Sequence, residues 1–300
     1  MKKILTLAFA LMATTCLVHS ADKDVKQNHN EEQMFVINNC SVTPVRDTPS
    51  EASEQETQLL FGEVCEVLEC QSQWTKIRST MDGQEGWVSS KMVTPVGEEV
   101  VEQLQQTETM GVVSVPMAVA TDMETGEKRM LTIGTRLPNY ANGTFEVLGK
   151  QYQIDPNSVY SIEAIRREAN GESIVRVAKS LLNVPYLWGG KNIMGFDCSG
   201  FTQTVYNVFG INLLRNAREQ ITQGKVVRSL AESQPGDLVF FDHADRDPKA
   251  TKISHVGMLI SPTKVIHCSG CVHIDKIDDI GIHLADGELT HHLVQIKRYL

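Results

Sequence analysis

The chain is expected to be an α+β protein in which two small all-β modules precede a larger mixed domain, and three observations carry that expectation. Across residues 34–154 the apolar residues come in short alternating or β-branched runs bounded by Asp, Gly and Pro. From about Ser158 they recur at helical spacing instead. Past Asp237 the strand pattern returns, and helices followed by a run of antiparallel strands make an α+β domain. At 300 residues the chain exceeds one typical domain.

Residues 1–20 read MKKILTLAFALMATTCLVHS, with two lysines, an apolar run and a small, polar end before Ala21. That is the plan of a signal peptide, so the protein is expected to be exported, to the periplasm or beyond the cell. The run is too short to span a bilayer. Lipid attachment at Cys16 is the alternative, although the residues before it do not fit a lipoprotein signal. Loss of Lys2 and Lys3 takes the net charge from -9 to -11, which does not suit a nucleic-acid binder. Cleavage also leaves six of the seven cysteines, and in an exported chain Cys40 is expected to pair with Cys65 or Cys70. Residues 21–33, ADKDVKQNHNEEQ, have no apolar period and read as a disordered leader.

The first β module is placed at residues 34–96. Its runs VINNCSVTPVR, QLLFGEVCEVLEC, WTKIRST and EGWVSS supply about five strands, enough for a small barrel or sandwich, with Trp74 and Trp87 as filling. Residues 97–156 form the second, opening on VGEEVVEQLQQT, which could hold one or two helical turns. Residues 157–171 are a linker with helix. The third domain, 172–300, starts on a helix in which Ile174, Val175, Ala178, Leu181 and Leu182 recur at helical spacing. A second helix follows Cys198, with Phe201, Val205, Val208 and Phe209 on one face and Gly210 as its stop. Strands are expected at 237–242, 254–260, 264–269 and 292–300.

Within GFDCSGF, Asp197 is a good N-cap and leaves Cys198 in the first turn of that helix. Exposed N–H groups and the positive end of the dipole favour a thiolate there, the reactive form of cysteine. A nucleophile needs a base, and His255 and His267 lie on adjacent expected strands. If residues 260–264 form the turn, Leu259 opposes Val265 and the two histidines share a face, diagonal to one another. A four-residue turn at 261–264 sets them on opposite faces, so the chemistry needs the first register or a bulge that restores it.

These residues carry a resemblance. YLWGG at 186–190, FDCSGFTQTVY at 196–206, LLRNAREQ at 213–220, QPGDLVFF at 234–241, SHVGMLI at 254–260 and VIHCSG at 265–270 resemble, in order and spacing, the motif set of the NlpC/p60 cysteine peptidases. The resemblance implies a papain-like core over about 130 residues, with Cys198 as nucleophile, His255 as general base and His267 as the group orienting it. It also implies the Cys198 N–H and the Tyr186 hydroxyl as oxyanion donors, and Asp197 and Ser199 as contacts for a free substrate amino group. GWV at 86–88, after LLFGEVCEVLE and QWTKI, is similar to bacterial SH3-like domains, which makes the upstream modules SH3-like barrels. Glu63 in the first of them is a candidate substrate contact, its alternative role being a solvated strand-end charge. The architecture resembles γ-D-glutamyl-L-diamino-acid endopeptidases, which cut peptidoglycan stem peptides with a free N-terminal L-Ala between D-Glu and diaminopimelate or lysine. That implies murein recycling by a monomer without cofactor. An N-acetylmuramoyl amidase, an acyl hydrolase and a non-catalytic wall-binding protein are the alternatives.

Two departures stand out. Leu213-Leu214-Arg215 replaces the family's Leu-Pro-Arg, a loss of proline rigidity expected to loosen this loop. Cys268 and Cys271 follow His267, and HCSGCVH could suggest a metal site built from His267, Cys268, Cys271 and His273. The second half of a zinc motif is missing, so the two cysteines are read as a local disulfide or as quiet thiols, with a Cys198–Cys268 disulfide as a redox-gating hypothesis. His291 and His292 are read as surface residues. No phosphate-binding glycine loop is present.

Overall fold

The structure, a computed structural model, describes residues 34–104, 110–243, 252–284 and 286–300. The expected signal peptide with Cys16 and the polar leader lie outside the described residues. No helix among the described residues is long and apolar enough to cross a membrane. The chain divides into two compact units, residues 1–106 and 107–300.

The first unit has seven strands, β1 (Phe35–Asn38), β2 (Val42–Arg46), β3 (Gln55–Leu60), β4 (Val64–Gln71), β5 (Trp74–Ser79), β6 (Glu85–Ser89) and β7 (Val93–Val96), then a helix at Glu98–Leu104. They form one sheet in the order β3-β2-β6-β5-β4-β1-β7 around Val36, Val45, Leu59, Cys65, Ile77 and Val88. Two of the expected runs each hold two strands. The chain turns at 39–41, and again at 61–63, where Gly62 takes a φ of +80° that a side chain would resist. Trp87 is buried as filling, while Trp74 is half-buried. The expected disulfide from Cys40 is not formed: Cys40 is a free thiol at the β1–β2 turn, donating to Asn39 Oδ1 at 3.5 Å.

The second unit begins with β8 (Gly111–Val113), β9 (Met117–Asp122), β10 (Lys128–Thr132), β11 (Arg136–Leu137), β12 (Thr144–Val147), β13 (Lys150–Ile154) and β14 (Val159–Ser161). They make two small sheets, β10-β9-β13-β12 and β11-β8-β14. This module runs to Ser161, past the expected boundary at 156, because the chain folds back on β8 with Val159 opposite Val113. The turn is set by Asp155, whose carboxylate accepts the Asn157 N–H at 3.0 Å, and by Pro156. The expected linker therefore holds β14 and a helix at Ile162–Arg167.

Next come a helix at Gly171–Lys179, opened by an Asn170–Ser173 capping box, the short pair β15 (Lys191–Asn192) and β16 (Gly195–Phe196), and the helix Cys198–Val208. After a short helix at Ala217–Gln220 and β17 (Lys225–Val227) come β18 (Leu238–His243), β19 (His255–Ser261), β20 (Lys264–Ser269), β21 (Cys271–Ile277), β22 (Gly281–His283) and β23 (Leu289–Arg298). The last six pair in sequence, and β22 also pairs with β23, which closes them into a barrel. Strand alternation then separates two cores. Val239, Phe241, Leu259, Val265, Ile277, Ile282 and Ile296 cluster on one face, the barrel interior. Leu238, Phe240, Val256, Met258, Ile266 and Val272 face outward onto Phe201, Val205, Ile174 and Ala178 of the helices.

Every residue of the Cys198–Val208 helix is buried, so it lacks the solvent face that an amphipathic reading implies. The second β module covers that side. Arg136 donates to Asn207 Oδ1 at 3.0 and 2.7 Å, Asn207 returns its amide to the Gly134 carbonyl at 2.8 Å, and Ile133 joins the helical core.

Candidate active site

The helix carrying Cys198 is anchored at its first turn. Asp197 is in extended conformation and accepts the Gly200 N–H at 2.6 Å, a standard N-cap. Gly200 permits the close fit beneath it, since a Cβ there would lie 2.1 Å from the Gly190 carbonyl oxygen. Arg215 is almost wholly buried and clamps the cap with Nη2 on Asp197 Oδ2 at 2.5 Å. Its Nη1 reaches Asp197 Oδ1 at 3.1 Å and Ser199 Oγ at 3.0 Å. Asp197 and Ser199, the expected contacts for a substrate amino group, thus have a structural task at the helix start. Both are buried, and both are committed to Arg215 and to the helix start.

Arg215 also corrects the expectation of a loosened loop. Leu213 O accepts the Gln203 amide at 2.9 Å, and Leu214 O accepts that of Gln220 at 2.9 Å. The Leu214 N–H, which a proline would lack, donates to Gln223 Oε1 at 2.9 Å.

Cys198 lies under the start of β19 and is 8 % exposed. Burial, reinforced by the Asp197 carboxylate, pushes its thiol up to about 12, while the Val256 N–H, Arg215 and the Ser199 N–H act in the opposite direction. Desolvation thus outweighs the helix-start effect anticipated from the sequence, and Cys198 rests as a neutral thiol. The contact with the Val256 N–H brings the sulfur to the strand whose first residue is His255.

The β19–β20 hairpin adopts the register the chemistry needs. Leu259 opposes Val265 and Gly257 opposes His267, with a bulge before Ser261 that absorbs the tighter turn at Pro262-Thr263. His255 and His267 therefore share the barrel's inner face, and His255 Nε2 lies 2.8 Å from His267 Nδ1. Beyond them stands Asp275 on β21, whose Oδ2 is 3.1 Å from His267 Nε2.

The partners assign the tautomers in order. An ionised carboxylate can only accept, so His267 carries its proton on Nε2 and offers a lone pair at Nδ1. His255 then donates from Nε2, which leaves Nδ1 as its basic nitrogen. The electrostatics agree: burial holds His267 below the usual histidine range, and the His267 N–H, with burial opposing, holds the Asp275 carboxyl below the usual carboxylate range.

Asp275 was not anticipated, because β21 was not recognised as a strand. The signal was present in VHID, where Val272 and Ile274 alternate with His273 and Asp275 once Gly270 turns the chain. His291, expected on the surface, is a second correction. β23 passes beside β18 with His243 opposite His291, and the His291 ring centroid lies 4.5 Å from that of His255.

Tyr186 is held at the same place by its N–H to the Gly270 carbonyl at 2.8 Å and by a bridge to Phe196. Burial, then the neighbouring Cys198 and Asp197, raise its hydroxyl above the usual tyrosine range, so it stays a donor. Glu63 lies in the first unit, half-buried at the β3–β4 turn. Cys268 and Cys271 are both thiols and fall on opposite faces of the β20–β21 hairpin, which rules out a local disulfide between them. Cys268 donates to the Phe196 carbonyl at 3.2 Å and is likewise unpaired with Cys198.

Residues 183–283 match the NlpC/P60 family, and residues 45–93 match the bacterial dipeptidyl-peptidase SH3 domain. A γ-D-glutamyl-L-lysine dipeptidyl-peptidase of Bacillus subtilis is 31% identical over 225 residues, which cover 71% of each chain. Another of the same name, from Bacillus cereus, is 28% identical over 72% of this chain and 68% of its own. A crystal structure of an NlpC/P60 family protein from Bacillus cereus superposes with a TM-score of 0.75 at 23% identity, covering 89% of this chain and 99% of that one, which is a likeness of fold. With the ordered motifs, the buried cysteine at a helix start and the histidine pair beside it, these matches establish that the chain belongs to the NlpC/P60 family and is a cysteine peptidase.

Proposed function

We propose that this protein hydrolyses the bond between γ-D-glutamate and the following diamino acid, diaminopimelate or lysine, in peptidoglycan stem peptides. The observation that carries the reading is the hydrogen-bonded series His255–His267–Asp275 set beside the Cys198 helix. His255 Nδ1 takes the Cys198 proton as the sulfur attacks the amide carbonyl, a concerted step that suits a thiol resting in its neutral form. The positive charge gained by His255 is stabilised through His267 by the Asp275 carboxylate. The Cys198 N–H and the Tyr186 hydroxyl receive the oxyanion. His255 then protonates the leaving amine, and water releases the acyl group.

The relatives' names support both the bond and the product. A dipeptidyl-peptidase releases an N-terminal dipeptide, here L-Ala-γ-D-Glu, which calls for a free L-Ala amino group. That selectivity suits recycling of wall fragments by an exported, monomeric enzyme.

The test is mass spectrometry of products from stem peptides bearing free or acetylated L-Ala, with wild type and Cys198→Ala. Cleavage after D-Glu in the free-amine peptides alone, absent in the variant, is the expected result. Cleavage elsewhere, or none by wild type, overturns the proposal.

A further inference from the structure

The barrel end that holds His267 also holds His273 and Asp275; one ligand atom of each lies within 4.8 Å of the others, and Asp275 Oδ2 faces both His267 Nε2 and His273 Nε2. His273 is fixed from behind, since its Nδ1 is 2.7 Å from the Cys271 carbonyl oxygen. A carbonyl can only accept, so Nδ1 carries a proton, and in a neutral imidazole Nε2 is then a lone pair. That lone pair stands 3.0 Å from Asp275 Oδ2, which is also an acceptor. Two acceptors at that distance need a positive bridge between them, either a second proton on His273 or a cation. A carbonyl holding the far nitrogen of a histidine is also the usual support for a metal-bound imidazole.

We infer that His267, His273 and Asp275 form a site for a divalent transition-metal cation of the zinc class, and that filling it turns the peptidase off. Two imidazoles and a carboxylate with a fourth position left for water suit zinc. Tetrahedral bonds of about 2.0–2.2 Å set ligand atoms about 3.3 Å apart, against 3.1 and 3.0 Å from Asp275 Oδ2 to the two histidines. Adjustments of a few tenths of an ångström around one shared oxygen would seat the ion. His267 is buried, but His273 and Asp275 are only half-buried and form the entry side. Cys268 points to the opposite face of the hairpin, and Cys271 contributes its carbonyl to His273.

The consequence follows from proton positions and rests on the function proposed above. A cation on His267 Nε2 takes the lone pair that site must offer, so the His267 proton moves to Nδ1. Nδ1–H then donates to His255 Nε2, and the proton of His255 shifts to Nδ1, the nitrogen that must accept from Cys198. Each ring keeps one proton, and His273 releases one to solvent if it was doubly protonated. His255 is left with no lone pair toward the thiol.

Binding is measured first, on tag-free full-length Cys198→Ala, by calorimetry with Zn2+ and by the visible spectrum of Co2+, neither of which needs a working enzyme. One ion per chain is expected, with four-coordinate cobalt bands, and Cys198→Ala/His273→Gln should bind at least about tenfold more weakly. Nitrogen NMR of histidine-labelled Cys198→Ala should show the His255 proton moving from Nε2 to Nδ1 as zinc is added. In enzyme with Cys198 intact, the ratio of rates with and without zinc should drop, and His273→Gln should restore it. No binding would make the bridge a proton and overturn the site. Binding unchanged by His273→Gln would put the ion elsewhere. Binding without a tautomer shift overturns the regulatory consequence, whether or not the stem-peptide activity holds.

Discussion

Replacing Arg215 with methionine probes the ion pair beneath the nucleophile. Arg215 is 1 % exposed and makes three hydrogen bonds to Asp197 and Ser199. Methionine keeps much of the stem volume but strands the Asp197 carboxylate in a buried site with the Gly200 N–H and the Ser199 hydroxyl. Removing one partner of a buried pair costs about 3–5 kcal/mol, most of it the desolvated charge left behind. For a unit of this size about 2–4 °C accompanies each kcal/mol, so the melting of the second unit should fall by roughly 6–20 °C.

Adding Asp197→Asn keeps an effective N-cap and removes the stranded charge, so the double variant should recover about half of the loss or more. Calorimetry of the full chain separates this transition from that of the first unit. A loss under about 1 kcal/mol for Arg215→Met, or a double variant no more stable than the single, would refute the assignment of Arg215 as the charge partner that makes this N-cap tolerable. Arg215 also acts to lower the Cys198 pKa, so Arg215→Met should slow alkylation of Cys198 at neutral pH.

Asp275→Ala should lower kcat by about 10–100-fold with little change in KM, because Asp275 sets a tautomer and does not meet substrate. Asp275→Asn should be as impaired, since its amide can donate to His267 Nε2 and invert the series; full activity in Asp275→Asn would reduce Asp275 to a packing role. Iodoacetamide alkylation of Cys198 should rise about tenfold per pH unit from roughly pH 7 to 10, and a plateau near neutrality would mean a preformed thiolate. The same burial makes stability fall with alkali: the thiol ionises from about 9 when unfolded but only near 12 when folded, so the unfolded state sheds its proton first across that window. Gly200→Ala should destabilise the second unit by about 1–3 kcal/mol or more, because its methyl would sit on the Gly190 carbonyl; wild-type melting would show that the helix start can shift.

Cys198, its N-cap Asp197 and the helix that follows were legible in the sequence because they are local: a capping residue, an apolar period and a terminal glycine act within a few positions. The shared His255–His267 face was legible only as one of two registers, and the bulge before Ser261 is what selects it. His291 was not, because it reaches the site by a pairing that no short window contains, whereas Asp275 lies only eight residues past His267 and was missed because β21 was not read as a strand. His291 arrives when β23 crosses beside β18, and Asp275 is set diagonal to His267 by the β20–β21 hairpin itself.

Tertiary structure likewise reversed one local inference and added to another. A helix start lowers a thiol's pKa when solvent is near, but barrel and helices together bury Cys198, and desolvation outweighs the dipole. Asp197 and Ser199, polar and beside the nucleophile, gain a structural task that no local window shows when Arg215, sixteen to eighteen residues on, is brought beneath them. Capping and periodicity placed Cys198 at a helix start and the histidines on strands, because those signals act over a few residues, and the resemblance of the ordered motifs supplied their roles. The charge state of Cys198 and the arrival of His291 were decided by burial and by long-range pairing, which exist only once the chain has folded.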